Sequence, residues 1–215
     1  MPPPSILDSP TSDSHSVHTH MTEEEFLAWA NSEIRAEWVD GEVILMSPAS
    51  FRHVEINYWL ARFMGVYVEH RNLGKVLGQE FAVRLQSGRI SRRVPDILFI
   101  SQARLAQITT NHLEGPPDLA VEIVSPESAS RDWRVKFHEY EAAGVGEYWI
   151  VDPLNHVFEA SVRNAEGKFE LIPITEDGIL RSTVVPGLWL KPEWLWQDEL
   201  PSTLHCLKQL GITIS

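Results

Sequence analysis

The chain has 215 residues, 43% of them hydrophobic and 22% charged, a composition typical of one globular domain with a sizeable core. Its single cysteine, Cys206, excludes an intramolecular disulfide, and no apolar run approaches the roughly 20 residues that span a bilayer. We therefore expect a cytoplasmic protein with no membrane partner. The formal net charge of −12 argues against non-specific coating of nucleic acid, although an enzyme needs only a locally basic cleft.

Composition divides the chain into a tail, one domain and a short extension. Residues 1–20 are rich in Pro, Ser, Thr and His and lack an apolar period, which predicts a disordered tail. We place a single domain at 21–200 and a C-terminal extension at 201–215, because no repeat or second boundary is apparent.

The first elements of the domain are predicted from local signals. Thr22 and Glu25 have the spacing of a capping box, which predicts a helix over 23–31. The Asp40-Gly41 pair within residues 36–46 lies between two runs that contain apolar residues, which is typical of a β-hairpin.

The central part of the chain predicts a sheet with one long helix. Apolar residues recur at helical spacing over 53–70, and residues 102–108 indicate a short helix. Strands are predicted at 75–85, 94–100 and 118–124. The last two strands are apolar on both faces, so we expect them at the centre of a sheet that is covered on both sides.

The C-terminal half continues with a helix over 131–143, which Gly144 ends, and a strand at 148–151. Turn-type pairs then separate the strands of a meander, and short helical turns follow from Pro192. The meander strands are predicted at 157–162, 169–174 and 180–185. This order predicts an α/β fold: a central mixed β-sheet flanked by helices (α/β/α) with a C-terminal β-meander.

Two carboxylates interrupt the apolar strands of the predicted core. Alternation places Asp96 on one face with Leu98, and Glu122 on one face with Val124. An ionised carboxylate there is unfavourable unless it is paired or bound to a metal, and two adjacent carboxylates repel each other. A divalent cation such as Mg²⁺ relieves both effects and prefers oxygen ligands. Alternatively, each carboxylate lies at a strand end and meets water or a basic residue.

Lys136 is a third candidate. At about 100° per residue it falls about 60° from Trp133, at the edge of an apolar helical stripe, so it leans toward the core. Its ammonium could reach Glu122 and a phosphate, orient an attacking water or stabilise developing charge. An ordinary ion pair with Asp132, four residues earlier, is equally consistent with the spacing.

Basic residues form two groups that flank these positions. Both groups could contact phosphates, and two solvated faces would produce the same pattern. The members are Arg84, Arg89, Arg92 and Arg93, followed by Arg131, Arg134 and Lys136.

An ordered set of motifs resembles the Uma2 family of putative restriction endonucleases, within the PD-(D/E)XK nuclease superfamily. Pro95-Asp96 and Glu122-Ile123-Val124 are similar to the superfamily motif itself. The resemblance covers about residues 21–196, and its other segments follow in order. They are Glu37-Trp38-Val39-Asp40-Gly41-Glu42, Met46-Ser47-Pro48, His53, Pro117-Asp118-Leu119-Ala120-Val121, Ser125-Pro126, Asp132, Lys136, Tyr140, Gly144-Val145 and Glu147-Tyr148-Trp149-Ile150-Val151-Asp152-Pro153.

The resemblance implies an endonuclease that depends on Mg²⁺ or Mn²⁺ and hydrolyses phosphodiester bonds in DNA. The implied metal ligands are Asp96, Glu122 and the backbone carbonyl of Ile123. One departure from the superfamily motif concerns the lysine expected two residues after Glu122, because that position is Val124. In the family that this chain resembles, the lysine comes from the following helix, which makes Lys136 the third catalytic residue.

Other residues could complete the site. His53 opens the long helix, and Glu37, Glu42 and Glu80 are further acids, but each is equally or better explained by a structural or exposed role. Tyr140 is most simply a core residue with a polar tip. The resemblance also implies a homodimer, in which two sites address two DNA strands.

Two other functions compete with cleavage of DNA. A catalytically inert nuclease-fold module, binding nucleic acid or a protein partner, is favoured by the acidic balance and by the absence of the strand lysine. A metal-dependent hydrolase acting on another phosphate ester is the third interpretation.

Overall fold

The structure, a computed structural model, describes residues 20–30, 34–78, 80–126, 128–129 and 131–213. The tail predicted at 1–20 lies outside these ranges except for His20, which forms an isolated antiparallel bridge with Glu42. Within the described ranges, no helix combines the length and the apolar content that crossing a bilayer requires.

The helices and strands are as follows in chain order. The α-helices are α1 (Glu23–Trp29), α2 (Phe51–His70), α3 (Phe137–Ala143) and α4 (Thr203–Gln209). Short 3₁₀ helices cover Gln102–Gln107 and Pro192–Trp196, and a π-helix covers Arg131–Lys136. The strands are β1 (Ala36–Val39), β2 (Glu42–Leu45), β3 (Gly74–Gly78), β4 (Ala82–Gln86), β5 (Ile90–Arg93), β6 (Ile97–Ser101), β7 (His112–Glu114), β8 (Leu119–Ile123), β9 (Glu147–Asp152), β10 (Val157–Arg163), β11 (Phe169–Leu171), β12 (Leu180–Arg181) and β13 (Trp189–Leu190).

A mixed sheet of order β11-β10-β9-β8-β6-β3 forms the centre of the fold. β8 and β9 run parallel, and the other neighbours run antiparallel. Phe99 and Val121 point into the core on the side of α2, whereas Leu98 and Ala120 pack with Tyr140 of α3 on the other side. The predicted mixed sheet between helical layers is therefore confirmed.

The C-terminal helix belongs to the same core. Cys206 and Leu207 of α4 are fully buried in the cluster that α2 forms with the sheet. Arg62 of α2 also donates a hydrogen bond to the Thr203 hydroxyl, with a distance of 3.0 Å from Nε. Residues 203–212 thus pack against the domain through α2.

The predicted N-terminal elements are confirmed by their local geometry. The Thr22 hydroxyl accepts from the Glu25 amide while the Glu25 carboxylate accepts from the Thr22 amide, which is the predicted capping box. β1 and β2 pair with Val39 opposite Glu42, and the Asp40-Gly41 pair takes positive φ angles of 48° and 101°. Positive φ at both positions matches the right-handed twist of the strands.

The single strand predicted at 75–85 is wrong, because the chain changes sheets there. β3 pairs with β6, whereas β4 belongs to a second sheet of order β2-β1-β5-β4-β7. Glu80, between the two strands, has a φ of 84°, which interrupts extended backbone. Leu77 and Phe81 nevertheless pack against one core cluster, so apolar alternation conceals the break.

The strand predicted at 94–100 begins later than expected. β6 starts at Ile97, since Pro95 has no backbone N–H to donate to the ladder. The shift leaves Asp96 at the entrance to the strand rather than inside it.

Two C-terminal predictions also need correction. The helix at 131–143 is a π-helix as far as Lys136 and becomes α-helical only in α3, although Gly144 ends it with a φ of 89° as predicted. The meander strand at 180–185 shortens to β12, which pairs with β13, a strand that the turn pattern did not reveal.

A buried arginine connects the second sheet to α3. The Arg93 guanidinium of β5 lies 2.8 Å from Glu37 of β1 and 2.5 Å from Glu139 of α3. Arg93 and Glu37 are each 1% exposed. Burial disfavours the charged form of Arg93, but Glu37 and Glu139 raise the pKa of its guanidinium above its ordinary value. This basic position is therefore an internal structural link and not part of a solvated face.

Replacing Arg93 with Met should destabilise the protein by about 3–5 kcal/mol, because two buried carboxylates each lose a buried cationic partner. Urea unfolding measures the loss. Arg89→Met is the matched control, since its guanidinium also contacts Glu139 but is 43% exposed, and exposed pairs contribute about 1 kcal/mol or less. Equal effects of the two substitutions would contradict the assignment of Arg93.

Candidate active site

The two predicted metal-binding carboxylates lie side by side. In the antiparallel pair of β6 and β8, Ile97 is opposite Val121, so one further step of the register sets Asp96 opposite Glu122. Opposed residues in a ladder project their side chains from the same face. Both carboxylates line one pocket and are buried, at 5% and 3% exposure. The structure therefore brings together the two acids that repulsion alone would keep apart.

Asp96 is held at the point where α2, β6 and β8 meet. Its Oδ2 accepts a hydrogen bond of 2.7 Å from the amide of Ile123. Its Oδ1 lies 3.1 Å from Nε2 of His53, in the first turn of α2, which Ser50 caps. Asn57, one turn further, donates to the backbone carbonyl of Asp96. These contacts fix the orientation of the carboxylate and bring His53 into the site.

Glu122 is held by the helical segment that follows β8. Lys136 Nζ lies 2.9 Å from its Oε1, and the Tyr140 hydroxyl donates a hydrogen bond of 2.7 Å to the same oxygen. Burial raises the pKa of Glu122 to about 8, and Lys136 only partly opposes this shift. The negative charges of Asp132 and Asp96 raise the same pKa. The carboxyl thus lies in surroundings with an excess of negative charge.

Lys136 is surrounded by three carboxylates in the π-helical segment. Its ammonium lies 2.9 Å from Glu122, 3.2 Å from Glu37 and 3.4 Å from Asp132, and the residue is 3% exposed. Burial would lower the pKa of Lys136, but Glu122 and Glu37 raise it, so the ammonium stays charged. Both contacts considered from the spacing, with Glu122 and with Asp132, are therefore present together.

The sequence did not predict that Glu37 contacts both Lys136 and Arg93 in the site. Glu37 accepts a hydrogen bond from the Val94 amide and is 1% exposed. Although burial raises the pKa of Glu37, Lys136 and Arg93 lower it to about 2, so this carboxylate is ionised. Its position in a strand, between the apolar residues Ala36 and Trp38, could have indicated that Glu37 is buried. Neither Glu42 nor Glu80 lines the pocket, and both are exposed.

The pocket is small, with a volume of about 60 Å³, enough for a few water molecules or a hydrated ion. Its lining includes Arg35, Arg131 and Ile123. The complete lining is Arg35, Glu37, Met46, Ser47, Pro48, Ala49, His53, Asp96, Glu122, Ile123, Ser125, Ser128, Arg131, Asp132 and Lys136.

The donor set fits a hard divalent cation that keeps part of its water shell. Among the described residues, no three or more His, Cys, Asp or Glu side chains are arranged as a metal-binding group. Mg²⁺ does not require such a group, because it is commonly bound through one or two carboxylates and retains several waters. Asp96, Glu122 and the Ile123 carbonyl are compatible with this pattern. The crowded charges around Glu122 also favour an added cation.

Comparison with known proteins places the chain among nuclease-like folds. A family model named Uma2, described as "Putative restriction endonuclease", matches residues 23–193. The fold is also similar to the crystal structure of a putative nuclease belonging to DUF820 from Anabaena variabilis, with a TM-score of 0.69 and 18% sequence identity. That alignment covers 82% of this chain and 97% of the other, and at this identity it concerns the fold alone. No curated protein matches the chain.

In the absence of divalent metal, the contribution of Glu122 to the stability of the protein should fall as the pH rises from about 4.5 to about 8. The pKa of Glu122 in the folded state, about 8, exceeds the ordinary value of 4.5. Folding therefore favours the protonated carboxyl, and this contribution is complete below the unfolded pKa and lost as the pH rises through the folded one. Urea midpoints measured across this range test the expectation.

Glu122→Gln mimics the protonated carboxyl and should remove much of this pH dependence. Glu24→Gln, in an exposed position of α1, is the control and should follow the wild type. A Glu122→Gln variant with the same pH profile as the wild type would show that Glu122 is ionised throughout.

Proposed function

Because this chain belongs to the Uma2 family of putative restriction endonucleases, we propose that it is a metal-dependent endonuclease that hydrolyses phosphodiester bonds in DNA. One observation carries the proposal: Asp96, Glu122 and Lys136, which come from separate elements, converge on one pocket. Two carboxylates beside an ammonium are the groups that metal-assisted hydrolysis of a phosphodiester requires.

Asp96, Glu122 and the backbone carbonyl of Ile123 would hold Mg²⁺ or Mn²⁺. When bound, such a metal lowers the pKa of a coordinated water and polarises the scissile phosphate. His53 fixes one Asp96 oxygen and Tyr140 fixes one Glu122 oxygen, so each carboxylate keeps its orientation. Orienting groups of this kind commonly determine metal affinity.

Lys136 supplies the positive charge of the protein at the reacting centre. Its ammonium, held by Glu37 and Asp132, can steady the attacking water or the negative charge that develops on the phosphate. Because Glu37 also bonds to Arg93, the lysine is anchored to the second sheet. The charge is therefore positioned before substrate arrives, which is the condition for efficient electrostatic catalysis.

Arg131 is suited to contact the substrate phosphate. It lines the pocket, and its Nε is buried without a hydrogen-bond partner among the described residues. A buried donor without a partner is unfavourable, so an anion that enters the pocket would be stabilised there. The pocket thus offers carboxylates for a metal and a guanidinium for the phosphate that the metal attracts.

An inert nuclease-fold module that binds nucleic acid or a protein partner is the second candidate. One observation favours it: an oxygen of Glu122 already contacts both Lys136 and Tyr140, so a metal must share this oxygen or use the other one. Calorimetric titration with Mg²⁺ and Mn²⁺ separates the candidates, since the inert module takes up no metal.

Asp96→Asn and Glu122→Gln should each reduce metal-dependent cleavage of plasmid DNA by about 100-fold or more, because each removes a charged metal ligand. Both substitutions preserve side-chain size, so the fold should persist. Cleavage rates and calorimetric metal affinities should fall together. The controls are Glu42→Gln and Glu80→Gln, exposed acids that do not line the pocket.

Full cleavage by a folded Asp96→Asn and Glu122→Gln double variant would exclude this site. Cleavage of small phosphodiesters without cleavage of plasmid DNA would instead identify a hydrolase of another phosphate ester.

Lys136→Gln should lower kcat by about 100-fold while leaving the metal affinity within a few-fold of the wild type, since the lysine is not a metal ligand. Asp132→Asn is the matched variant, because it removes the ion pair within the helix and keeps the contact with Glu122. It should cost less than about tenfold in kcat. Lys136→Arg retains the charge and serves as the variant that folds if Lys136→Gln does not. Equal losses of kcat for Asp132→Asn and Lys136→Gln would show that Lys136 acts only as a structural ion-pair partner.

A further inference from the structure

The helical segment that carries Lys136 also borders a second concave site. A groove of about 360 Å³ lies between the turn that joins β4 to β5 and the exposed residues of the π-helix and α3. Its lining is Ser87, Arg89, Arg134, Val135, His138, Glu139 and Ala142. Asp132 and Lys136 of the same segment are buried in the pocket, whereas Arg134 and His138 are exposed.

The groove is locally basic in a protein of net charge −12. Arg134 and His138 are exposed, and Arg89 is 43% exposed. The only acid in the lining, Glu139, is buried and pairs with Arg93 at 2.5 Å and with Arg89 at 3.4 Å. Arg134 and the exposed part of the Arg89 guanidinium therefore face solvent, where an anion can reach them.

A continuous series of ion pairs links the groove to the pocket. Arg89 contacts Glu139 at 3.4 Å, and Glu139 contacts Arg93. Arg93 then contacts Glu37 at 2.8 Å, and Glu37 contacts Lys136 at 3.2 Å. Because the inner members of this series are buried, the two concave sites are held in a fixed relation to each other.

We propose that the groove is a second phosphate-binding site, which holds the backbone of the same nucleic acid whose scissile phosphate enters the pocket. The inference rests on the proposed function for the identity of the nucleic acid. Arginines recognise phosphate oxygens with paired N–H donors, and a polymeric substrate carries further phosphates on either side of the one that reacts. Arg134, on the segment that carries Lys136, and Arg89, on the turn between β4 and β5, would contact those phosphates.

The test is DNA binding by fluorescence anisotropy, with a labelled random-sequence duplex and without divalent metal, so that no cleavage is needed. The Arg89→Gln and Arg134→Gln double variant should bind about tenfold more weakly and lower the slope of log K against log salt by about two. Arg89→Lys with Arg134→Lys keeps both charges and should retain most of the affinity. The matched controls are Arg163→Gln and Lys208→Gln, two exposed cations that line neither concave site.

The outcomes separate this proposal from the proposed function. A double variant with the affinity and salt slope of the controls overturns the groove, whatever the enzyme cleaves. Weaker binding with a reduced slope supports the groove, even if the wild type cleaves no DNA. A duplex that does not bind the wild-type protein at low salt overturns the groove as well.

Discussion

The buried ammonium of Lys136 is the interaction on which the rest of the site depends. Three carboxylates, from β1, β8 and the π-helix, approach it within 3.4 Å in an interior that excludes most water. Removing charged groups from water costs several kcal/mol per ion, and only close opposite charges offset that cost. The lysine therefore does more than occupy the pocket. It allows acids from two sheets and one helix to be buried together.

One ammonium cannot balance all the acids around it. Glu37 is satisfied by Arg93 as well as by Lys136, whereas burial, together with the repulsion of Asp132 and Asp96, raises the pKa of Glu122 to about 8. A proton and a divalent cation are alternative ways to remove that repulsion. Val124 packs into the apolar core near Tyr140, and the positive charge beside Glu122 comes from Lys136 of the π-helix.

The sequence predicted what depends on local pattern. Asp96 and Glu122 could be paired because two apolar runs, at 94–100 and 118–124, each contain one acid, which limits the register. The ion pair of Glu37 with Arg93 could not be predicted, because about fifty residues separate β1 from β5 and no local pattern relates the two strands. The break between β3 and β4 was concealed by unbroken alternation, and the π-helix by a spacing of Asp132 and Lys136 that α-helical geometry also permits.

The distribution of arginine explains how an acidic protein can present a basic surface where it is needed. Arg92 and Arg93 are buried against acids, and Arg84 is held by Glu23 and Glu114. These arginines hold the second sheet together and offer little to solvent. The arginines that line the pocket and the groove lie close to the helical segment of Lys136. Attraction of a polyanion depends on this local field rather than on the net charge, since charges more than about 10 Å away are screened at moderate salt.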